Sequence, residues 1–410
     1  MLGKIADTKL APLGKRSYEW ARAHMTIFDY ISKKSRKSRP LLGIKLGLCL
    51  HITKETSVLV MCAQKLGAEV AICSANPLSV QDDIAAFLSS QKILTYAWQG
   101  ESNREYHECI REIVRFHPDI VVDDGGDLHH TIHQLGPTPI MGGTEETTSG
   151  VSRLNILHSK KELTYPVIAV NNASTKHLFD NRYGTGQSAI DGLLRATGLF
   201  LAGKHILVCG YGWVGKGIAL RARGMGAIVS ITEVDPIRAL EASMDGFYVT
   251  KLSASVDKAD FVITCTGQKH VIGTNSFLKM KNGVVLANAG HFDVEIDVGY
   301  LFSRDRSPVK VRPYVEQFHF DGKIVYLVSG GRVLNLVGSE GSPPEIMALS
   351  FANQLLSINH IARNYEAMEP GIHCVPKEID QLVAQYALKA MNIEIDKLTN
   401  MQRRYTGISL

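Results

Sequence analysis

The chain has 410 residues, of which 45% are hydrophobic and 21% charged, and its 45 basic and 40 acidic residues leave a formal net charge of +5. This length predicts two or three domains, and the composition excludes wholesale disorder, a collagen-like repeat and a small disulfide-rich protein. The seven cysteines lie in apolar runs without a CxxC pair. They therefore favour a reducing, cytoplasmic compartment over a zinc ribbon or a disulfide framework.

Neither a leader nor a membrane segment is expected. The first twenty residues lack an apolar core of signal-peptide length, and no stretch reaches the ~18 consecutive apolar residues of a membrane span. A basic cluster precedes Pro40 and consists of Lys33, Lys34, Arg36, Lys37 and Arg39. Because no aromatic residues interleave with it to stack on bases, we interpret it as a solvated loop or helix end and expect no nucleic-acid partner.

From residue 44 onward, short apolar runs alternate with helical stretches. Strands are predicted at 44–50, 69–75, 93–98 and 119–124, and helices at 53–66, 82–88 and 104–115. The pattern restarts with strands at 205–210, 227–233, 261–267 and 284–290. Such alternation is typical of βαβ units, which build parallel sheets with helices on both faces. Two successive sets predict two lobes.

A glycine-rich motif follows the first strand of the second set and leads into a predicted helix. Its residues are Gly210, Gly212, Trp213, Val214 and Gly215. Glycines here allow a tight turn and close backbone approach to a pyrophosphate, which the N-terminus of the helix then binds. Glu233 ends the next strand, where a carboxylate can hydrogen-bond both ribose hydroxyls and would repel a 2′-phosphate. A lone GxGxxG is weak evidence, but strand, helix and acid at this spacing predict an NAD site.

The predicted fold class is α/β, with two lobes of doubly wound parallel sheets. The lobe boundary is expected near 172–186, and a Gly/Ser/Pro break at 338–344 precedes a long helix over 344–364 that returns to the first lobe. We therefore predict a substrate-binding domain at 1–182 and 343–385, an inserted Rossmann NAD-binding domain at 183–342, and a short C-terminal segment at 386–410.

Other segments carry more ionisable residues than turns require. Residues 51–56 lie where a predicted strand meets a helix, and Thr53 there is interpreted first as a helix cap. Residues 123–127 and 143–149 belong to the sheet edge where open α/β sheets bind ligands. Their carboxylates can hold a polar ligand or a metal, or cap helices. Since histidines at metal-ligand spacing are missing, we predict no metal site.

Lys176 and Asp180 stand four residues apart, beside Asn181, and on a solvated helix they would form a routine ion pair. Next to a hinge and a nicotinamide site, the lysine can instead be desolvated, and its pKa lowered enough for it to act as a base. His291 directly follows a strand of the second lobe. It is either a structural histidine or a catalytic one that faces the cofactor cleft.

Together these segments resemble the adenosylhomocysteinase (S-adenosyl-L-homocysteine hydrolase) family, as a short archaeal-type member or a divergent paralog. The resemblance runs from IADTKLAPLGKRSYEWA near the N-terminus to LTNMQRRYTGISL at the end. Its most specific motifs are LHITKET, NPLSVQDD, VVDDGGDL, GGTEETTSGV, TKHLFDNRYG, GYGWVGKG, NAGHFDVEID and SFANQ. Any one motif could arise by chance, but their order and spacing together could hardly do so.

The resemblance implies a redox cycle on a nucleoside thioether. In that family NAD⁺ oxidises the 3′-hydroxyl, the resulting ketone acidifies the C4′ proton, the 5′-thiol leaves, water adds, and the ketone is reduced again. Carried over, Lys176 and Asp180 would manage the protons at the 3′-oxygen and C4′, with Asn181 orienting them. Glu146 would hold the ribose hydroxyls, and His291 would lie near the ribose from the NAD side.

On the same basis, His51 and Asp124 would act at the 5′ position, on the leaving sulfur and the incoming water. Thr53 and Glu55 would face the base edge, where a carboxylate suits the amino group of adenine. Further substrate-binding candidates are Ser79, Gln81, Asp82, Ser342 and Met347. Cofactor-binding candidates beyond the glycine-rich motif and Glu233 are Thr147, Thr148, Ser149, Asn181, Thr266, Gly267, Asn288 and Asn335.

Three features depart from the family pattern. Thr185 replaces a hinge cysteine that is common in eukaryotic members, and the chain stops at Leu410, before the tail with which longer members reach a neighbour's NAD site. In GSEGSPPEIM, Ser342 takes the place of the family's usual histidine. This last change puts the substrate in question more than the redox chemistry.

Three functional hypotheses follow. The first is NAD-dependent, reversible hydrolysis of S-adenosyl-L-homocysteine to adenosine and L-homocysteine by a homo-oligomer, either a dimer or a tetramer. The second keeps the cycle on another nucleoside, as an S-inosyl-L-homocysteine hydrolase or a 4′,5′-dehydratase that loses water. The third is a non-catalytic regulatory paralog, against which the retained lysine, aspartates and histidines argue.

Overall fold

The computed structural model describes residues 3–35, 38–136 and 138–407, except for the side chains of residues 34 and 35. Arg36 and Lys37 of the basic cluster, and the last three residues of the predicted C-terminal segment, lie outside the described residues. Within the described ranges, no helix is both long and apolar enough to cross a membrane. All seven cysteines are free thiols.

The described strands are β1 (Lys4–Ile5), β2 (Lys45–Cys49), β3 (Glu69–Cys73), β4 (Leu94–Ala97), β5 (Ile120–Asp123), β6 (Gly142–Glu145), β7 (Pro166–Ala169), β8 (His205–Cys209), β9 (Ile228–Thr232), β10 (Tyr248–Val249), β11 (Phe261–Thr264), β12 (Val284–Asn288), β13 (Val309–Arg312), β14 (Val315–Phe320), β15 (Lys323–Val328) and β16 (Gly371–Cys374). The described α-helices are α1 (Ala11–His24), α2 (Ile27–Ser35), α3 (Lys54–Lys65), α4 (Asp82–Ser90), α5 (Asn103–Arg115), α6 (Asp127–Leu135), α7 (Thr148–Ser159), α8 (Ser174–Lys176), α9 (Thr185–Thr197), α10 (Trp213–Gly224), α11 (Pro236–Met244), α12 (Thr274–Lys279), α13 (Val298–Arg304), α14 (Leu334–Val337), α15 (Pro344–Asn364), α16 (Lys377–Ala390) and α17 (Asn400–Thr406). A π-helical segment, His177–Gly184, joins α8 to α9.

The first sheet has the strand order β1-β4-β3-β2-β5-β6-β7-β16, and its pairs are parallel. Its strands come from residues 4–169 and then, after the second sheet, from residues 371–374. The predicted helix over 344–364 is confirmed as α15, and its Ala348, Phe351 and Leu355 pack into the core beside this first sheet. The chain thus returns to the first lobe, while the exact domain boundaries stay predictions.

The second sheet has the order β10-β9-β8-β11-β12-β15-β14-β13. It is parallel from β10 to β15, whereas β13, β14 and β15 pair antiparallel. Only two residues separate these last strands from one another, too few for a crossover helix. The sequence analysis did not identify this edge, although Asp321 and Gly322, both with positive φ, form a typical hairpin turn between two apolar runs.

Both sheets are covered on both faces, as the alternation of buried side chains shows. Ile120 and Val122 of β5 belong to one core of the first lobe, and Val121 between them belongs to another. Ile206 and Leu207 of β8 face different cores of the second lobe in the same way. This arrangement is doubly wound, and it brings functional side chains to the carboxyl ends of the strands.

Candidate active site

Lys176 is at the centre of a buried group of polar side chains. Its Nζ donates to Asn181 Oδ1 at 2.9 Å and lies 3.0 Å from Asp180 Oδ2 and 3.6 Å from Glu146 Oε1. Lys176 ends α8, directly before the π-helical segment. Because residues five apart share a face in π-helical geometry, the lysine reaches Asn181 as well as Asp180. The side chains predicted for chemistry at the 3′ position are therefore together.

The expected lowering of the lysine pKa is wrong. Burial lowers the pKa of Lys176, but the carboxylates of Asp180 and Glu146 raise it by more, so the pKa lies above its ordinary value. Burial raises the pKa of Glu146 to about 7, against the opposing effect of Lys176. Near neutral pH, Lys176 therefore keeps its proton and Glu146 exchanges one. The Oε1 atom of Glu146 is buried and has no hydrogen-bond partner among the described residues, which leaves it available to a ligand.

A second group joins the two lobes. Asp124 follows β5, His51 follows β2, and His291 follows β12 of the second sheet. Asp124 Oδ1 lies 3.7 Å from His51 Nε2 and 3.7 Å from His291 Nδ1, and the three side chains are only 12–18% exposed. Gly125 makes this approach possible, because its φ is +107° and a Cβ there would overlap the His291 ring.

The Ser79 hydroxyl contacts the ring of His51. It lies 2.6 Å from His51 Nδ1 and 2.9 Å from the carbonyl oxygen of Asn76, and its single proton can go to either. When the proton goes to Asn76, the neutral ring carries its own proton on Nδ1, and Nε2 is the hydrogen-bond acceptor on the side of Asp124. Burial lowers the pKa of His51 to about 4, so the ring is neutral at physiological pH. His51 is therefore a proton acceptor in this arrangement, and Ser79 supports it.

Two further acids hold the loops that carry Asp124 and Glu146. Asp123 accepts from the N–H groups of Asp124 and His129 at 2.9 Å, and Glu145 accepts from those of Gly125 and Thr147 at 2.9 Å. Both side chains are fully buried, and burial raises the pKa of Asp123 to about 7. The sequence alone does not separate Asp123 and Glu145 from their neighbours Asp124 and Glu146. The spacing of adjacent carboxylates at a strand end does not show which side chain faces a ligand.

The tertiary structure brings together possible metal ligands that the spacing in the sequence does not reveal. Two sets of possible ligands have atoms within 4.8 Å of one another, namely His51, Asp124 and His291, and Asp123, His129 and Glu145. Histidines at metal-ligand spacing in the sequence are thus not required, because tertiary structure assembles the sets. Such clusters are common without an ion, and the absence of a metal remains a prediction.

The residues predicted for the base edge lie at the start of α3. Thr53 caps this helix by accepting from the N–H of Thr56, so its capping role is confirmed. Glu55 is 1% exposed, and its Oε1 makes no hydrogen bond to a described residue although Lys54 Nζ lies 3.3 Å away. Burial raises the pKa of Glu55, and Lys54 opposes that shift. A buried, incompletely paired carboxylate is suited to a ligand that donates hydrogen bonds.

Other substrate-site candidates contact the protein itself. Gln81 precedes α4, and its side-chain oxygen accepts from the N–H of Lys54 at 2.9 Å. Asp82 accepts from the N–H of Gln99 at 2.9 Å. Met347 packs against the core of the first lobe that contains Ile120 and Val122. Their substrate contacts stay predictions. Ser342 is buried and donates to Asp180 Oδ1 at 2.9 Å.

The glycine-rich turn between β8 and α10 fits a dinucleotide. Gly210 has a φ of +103°, and a Cβ at Gly215 would overlap the carbonyl oxygen of Gly210. Gly212 precedes α10 without any side-chain cap, so the first N–H groups of this 12-residue helix are available for a phosphate. Trp213 begins the helix, and its ring lies 4.3 Å from Lys216 Nζ. Val214 packs on the core of the second lobe that contains Ile206.

Glu233 closes this turn from the end of β9. Its Oε2 accepts from the N–H of Tyr211 at 2.7 Å, and its Oε1 accepts from the N–H groups of Val234 and Asp235. The carboxylate is therefore fixed beside the glycine-rich turn, where a ribose would lie. Its ribose contact stays a prediction.

Two other candidate groups shape loops of the second lobe. The N–H groups of Thr266 and Gly267 each donate to the carboxylate of Glu295 at 2.8 Å, and Asn288 donates to three carbonyls around the loop that carries His291. Glu295 was not among the predicted site residues, because its position in NAGHFDVEID does not reveal that it is buried. Its carboxylate holds two candidate cofactor residues, Thr266 and Gly267, at the carboxyl end of β11.

The remaining cofactor candidates lie at the start of α7 and in α14. Thr147 caps α7, Ser149 donates to Thr147, and Thr148 accepts from Asn171. Asn335 is buried in α14, and its side-chain oxygen has no hydrogen-bond partner among the described residues. That oxygen is available to a ligand, whereas the threonines are already engaged in the protein.

These features define a two-lobed enzyme with a Rossmann-type dinucleotide site beside a cluster of lysine, carboxylates and histidines. Residues 3–137 match the family S-adenosyl-L-homocysteine hydrolase, and residues 181–341 match the S-adenosyl-L-homocysteine hydrolase, NAD binding domain. The chain belongs to the S-adenosyl-L-homocysteine hydrolase family, and its cofactor is NAD.

Curated relatives match over almost their full length. The adenosylhomocysteinase of Sulfolobus acidocaldarius is 49% identical, over 98% of this chain and 97% of the relative. The S-inosyl-L-homocysteine hydrolases of Methanopyrus kandleri and Methanocaldococcus jannaschii are 48% and 46% identical, over 98% of this chain and 96% and 98% of the relatives. Relatives with two different base specificities are thus almost equally similar.

The Glu233→Ala variant is expected to weaken NAD binding about tenfold or more, because hydrogen bonds to a charged group contribute about 1.5–3 kcal/mol each. Cofactor retained after gel filtration, and the NAD titration of stripped protein, measure the effect. Glu241→Ala removes an exposed carboxylate of the same lobe, which pairs with Lys216, and is the matched control. Equal retention in both variants would remove Glu233 from the cofactor site.

Proposed function

We propose that this protein catalyses the reversible hydrolysis of S-adenosyl-L-homocysteine to adenosine and L-homocysteine, with NAD⁺ as a recycled cofactor. The observation that carries the proposal is the buried group of Lys176, Asp180 and Glu146, in a chain that also has the glycine-rich turn and the His51–Asp124–His291 group. One group is suited to proton transfer at a sugar hydroxyl and the other to proton transfer at a leaving group.

Bound NAD⁺ would accept a hydride from the 3′ carbon and later return it. The 3′ ketone that exists in between would make the C4′ proton acidic. The protein supplies the proton transfers. Because Lys176 keeps its proton, the carboxylate of Asp180 takes the proton from the 3′-hydroxyl, and the positive charge of Lys176 stabilises the oxygen as that proton leaves. Glu146, with a pKa of about 7, accepts hydrogen bonds from the ribose through its unpaired Oε1.

Chemistry at the 5′ position falls to the second group. Asp124, while it holds a proton, gives that proton to the leaving sulfur. Neutral His51 then takes a proton from the incoming water, and this proton passes back to Asp124. Burial raises the pKa of Asp124, while His291 and Lys176 lower it, so this carboxyl group can hold a proton for part of the cycle. His291 closes the site from the NAD lobe and limits access of bulk water.

Recognition of adenine is assigned to Glu55. Its carboxylate accepts a hydrogen bond from the 6-amino group, whereas the 6-oxygen of hypoxanthine would face a like charge. Lys54 at 3.3 Å and the buried surroundings restrict the acid to this one open contact. We therefore favour the adenosyl substrate over the inosyl one.

The Glu55→Gln variant is expected to lower the ratio of kcat/KM for S-adenosyl- over S-inosyl-L-homocysteine about tenfold, since an amide both donates and accepts and a hydrogen bond to a charged group is lost. Competition between the two thioethers measures the ratio directly. The control Glu340→Gln changes the exposed carboxylate that binds Lys54 from the other side. If both variants leave the ratio at the wild-type value, Glu55 does not select the base.

The proposed function is tested by incubating NAD-loaded protein with S-adenosyl-L-homocysteine and following adenosine and homocysteine by chromatography. Enzyme-like release of both supports the proposal. Turnover confined to the inosyl thioether favours the alternative that the inosyl-specific relatives suggest. Reduction of bound NAD⁺ by nucleosides with loss of water and no thioether cleavage would instead indicate the 4′,5′-dehydratase.

We further propose a cytoplasmic homo-oligomer, a dimer or a tetramer. Free thiols support the compartment. Support for self-association comes from large apolar side chains that are each more than three-quarters exposed, namely Val234, Ile237, Met244, Met401 and Tyr405. Sedimentation analysis measures the assembly, and a monomer at micromolar concentration would contradict it.

A further inference from the structure

Ser342, the residue that departs from the family pattern, hydrogen-bonds to Asp180, the acid of the proposed proton transfer. It belongs to the segment at 338–343 that leads from the second lobe into α15, and it is buried. Its hydroxyl donates to Asp180 Oδ1 at 2.9 Å. The other oxygen of the same carboxylate, Oδ2, lies 3.0 Å from Lys176 Nζ and accepts from Ser350 at 3.3 Å. The two oxygens of Asp180 thus have different partners.

Neighbouring contacts show that this hydroxyl is not a backbone cap. Ser339, three residues earlier in the same segment, donates to the carbonyl oxygens of Asn335 and Ser188. Ser342 instead donates to the buried carboxylate of Asp180, which belongs to the π-helical segment His177–Gly184. A Cβ at Gly184 would lie 2.7 Å from the Ser342 oxygen, so the serine fills the space against the π-helical segment.

We propose that Ser342 is a positioning residue for Asp180. By binding Oδ1, it holds the carboxylate in the orientation in which Oδ2 faces Lys176, and so aligns the acid–base pair for proton transfer at the 3′-oxygen. The departure from the family's histidine then acts on the redox half of the cycle and not on the choice of substrate. This inference rests on the proposed function.

The physical reason is the cost of an unpaired charge in a buried site. Without the serine hydroxyl, Oδ1 of Asp180 loses its hydrogen bond, and the carboxylate can rotate to share Lys176 and Ser350 between both oxygens. The pair would still form, but over several geometries, of which few suit proton transfer. Substrate contacts made by Glu55 and Glu146 would not change.

Three substitutions at one position test the role. Ser342→Ala removes the hydroxyl, and Ser342→Cys keeps nearly the same volume with a weak donor. Both are expected to lower kcat about tenfold while KM stays within about twofold, because a hydrogen bond to a charged group is lost. Ser342→Thr keeps the hydroxyl and is expected to retain kcat within about threefold of wild type. The rate at which substrate reduces bound NAD⁺ should fall in parallel with kcat.

Ser339→Ala is the matched control, since it removes a hydroxyl from the same segment that does not contact Asp180. A kcat for Ser342→Ala equal to that of Ser339→Ala would overturn the positioning role. So would a loss confined to KM, which would assign Ser342 to substrate binding. If wild-type protein turns over neither thioether, the proposed function is overturned and the positioning role with it. If wild-type protein is active and only the variants behave otherwise than expected, the positioning role alone is overturned.

Discussion

The Lys176→Ala variant is expected to lower kcat about 10³-fold while NAD stays bound, within the range typical of lost general acid–base catalysis. Lys176 Nζ is within 3.6 Å of two buried carboxylates, those of Glu146 and Asp180, and it is the cation that pairs with both. Without it, Asp180 and Glu146 face each other without compensation, and protons leave the substrate less readily. Steady-state hydrolysis and cofactor content after gel filtration measure the two effects.

Two companion variants separate charge from proton transfer. Lys176→Arg keeps the positive charge on a group that does not deprotonate, so partial recovery of activity is expected from the electrostatic role, and no recovery would assign a proton transfer to the lysine itself. Lys281→Ala removes a lysine that pairs with Asp260 far from the site, and near-wild-type kcat is expected. Turnover of Lys176→Ala close to that of Lys281→Ala would exclude Lys176 from the mechanism.

Elements that depend on neighbours in the chain could be predicted from the sequence. The strand β8, the turn at Gly210 and α10 follow from an apolar run, a glycine with positive φ and a helix start, all within twenty residues. The hairpin at Asp321 was equally local, and its turn residues were a usable indication. The edge strand that precedes this hairpin, β13 (Val309–Arg312), is exposed throughout, so no buried face marks it as part of a sheet.

The properties of the site depend on residues that are distant in sequence. His51 and Asp124 follow the neighbouring strands β2 and β5 of the first lobe. The approach of His291 to Asp124 follows instead from how the lobes meet, which no spacing encodes. Burial alone would lower the pKa of Lys176. The carboxylates of Asp180, four residues away, and of Glu146, thirty residues earlier and on another strand end, raise it by more. Residue identities could therefore be predicted, whereas their electrostatics required the assembled structure.

The Asp124→Asn variant is expected to uncouple the two halves of the reaction. Asp124 contacts the two histidines at 3.7 Å but is not hydrogen-bonded to Lys176, so oxidation at the 3′ position should proceed. An asparagine cannot give a proton to the leaving sulfur, and homocysteine release should fall about 10²- to 10³-fold. Reduced cofactor is then expected to accumulate on the enzyme in a single turnover.

Absorbance of the reduced nicotinamide and chromatography of homocysteine on the same quenched samples measure the two halves. Asp257→Asn makes the same chemical change at an exposed position and should leave both unchanged. If oxidation and homocysteine release fall by the same factor in Asp124→Asn, the aspartate acts before the 5′ step, and the division of labour between the two groups is wrong. If only release falls, the side chains that meet between the lobes perform the elimination, and the buried lysine group performs the redox proton transfer.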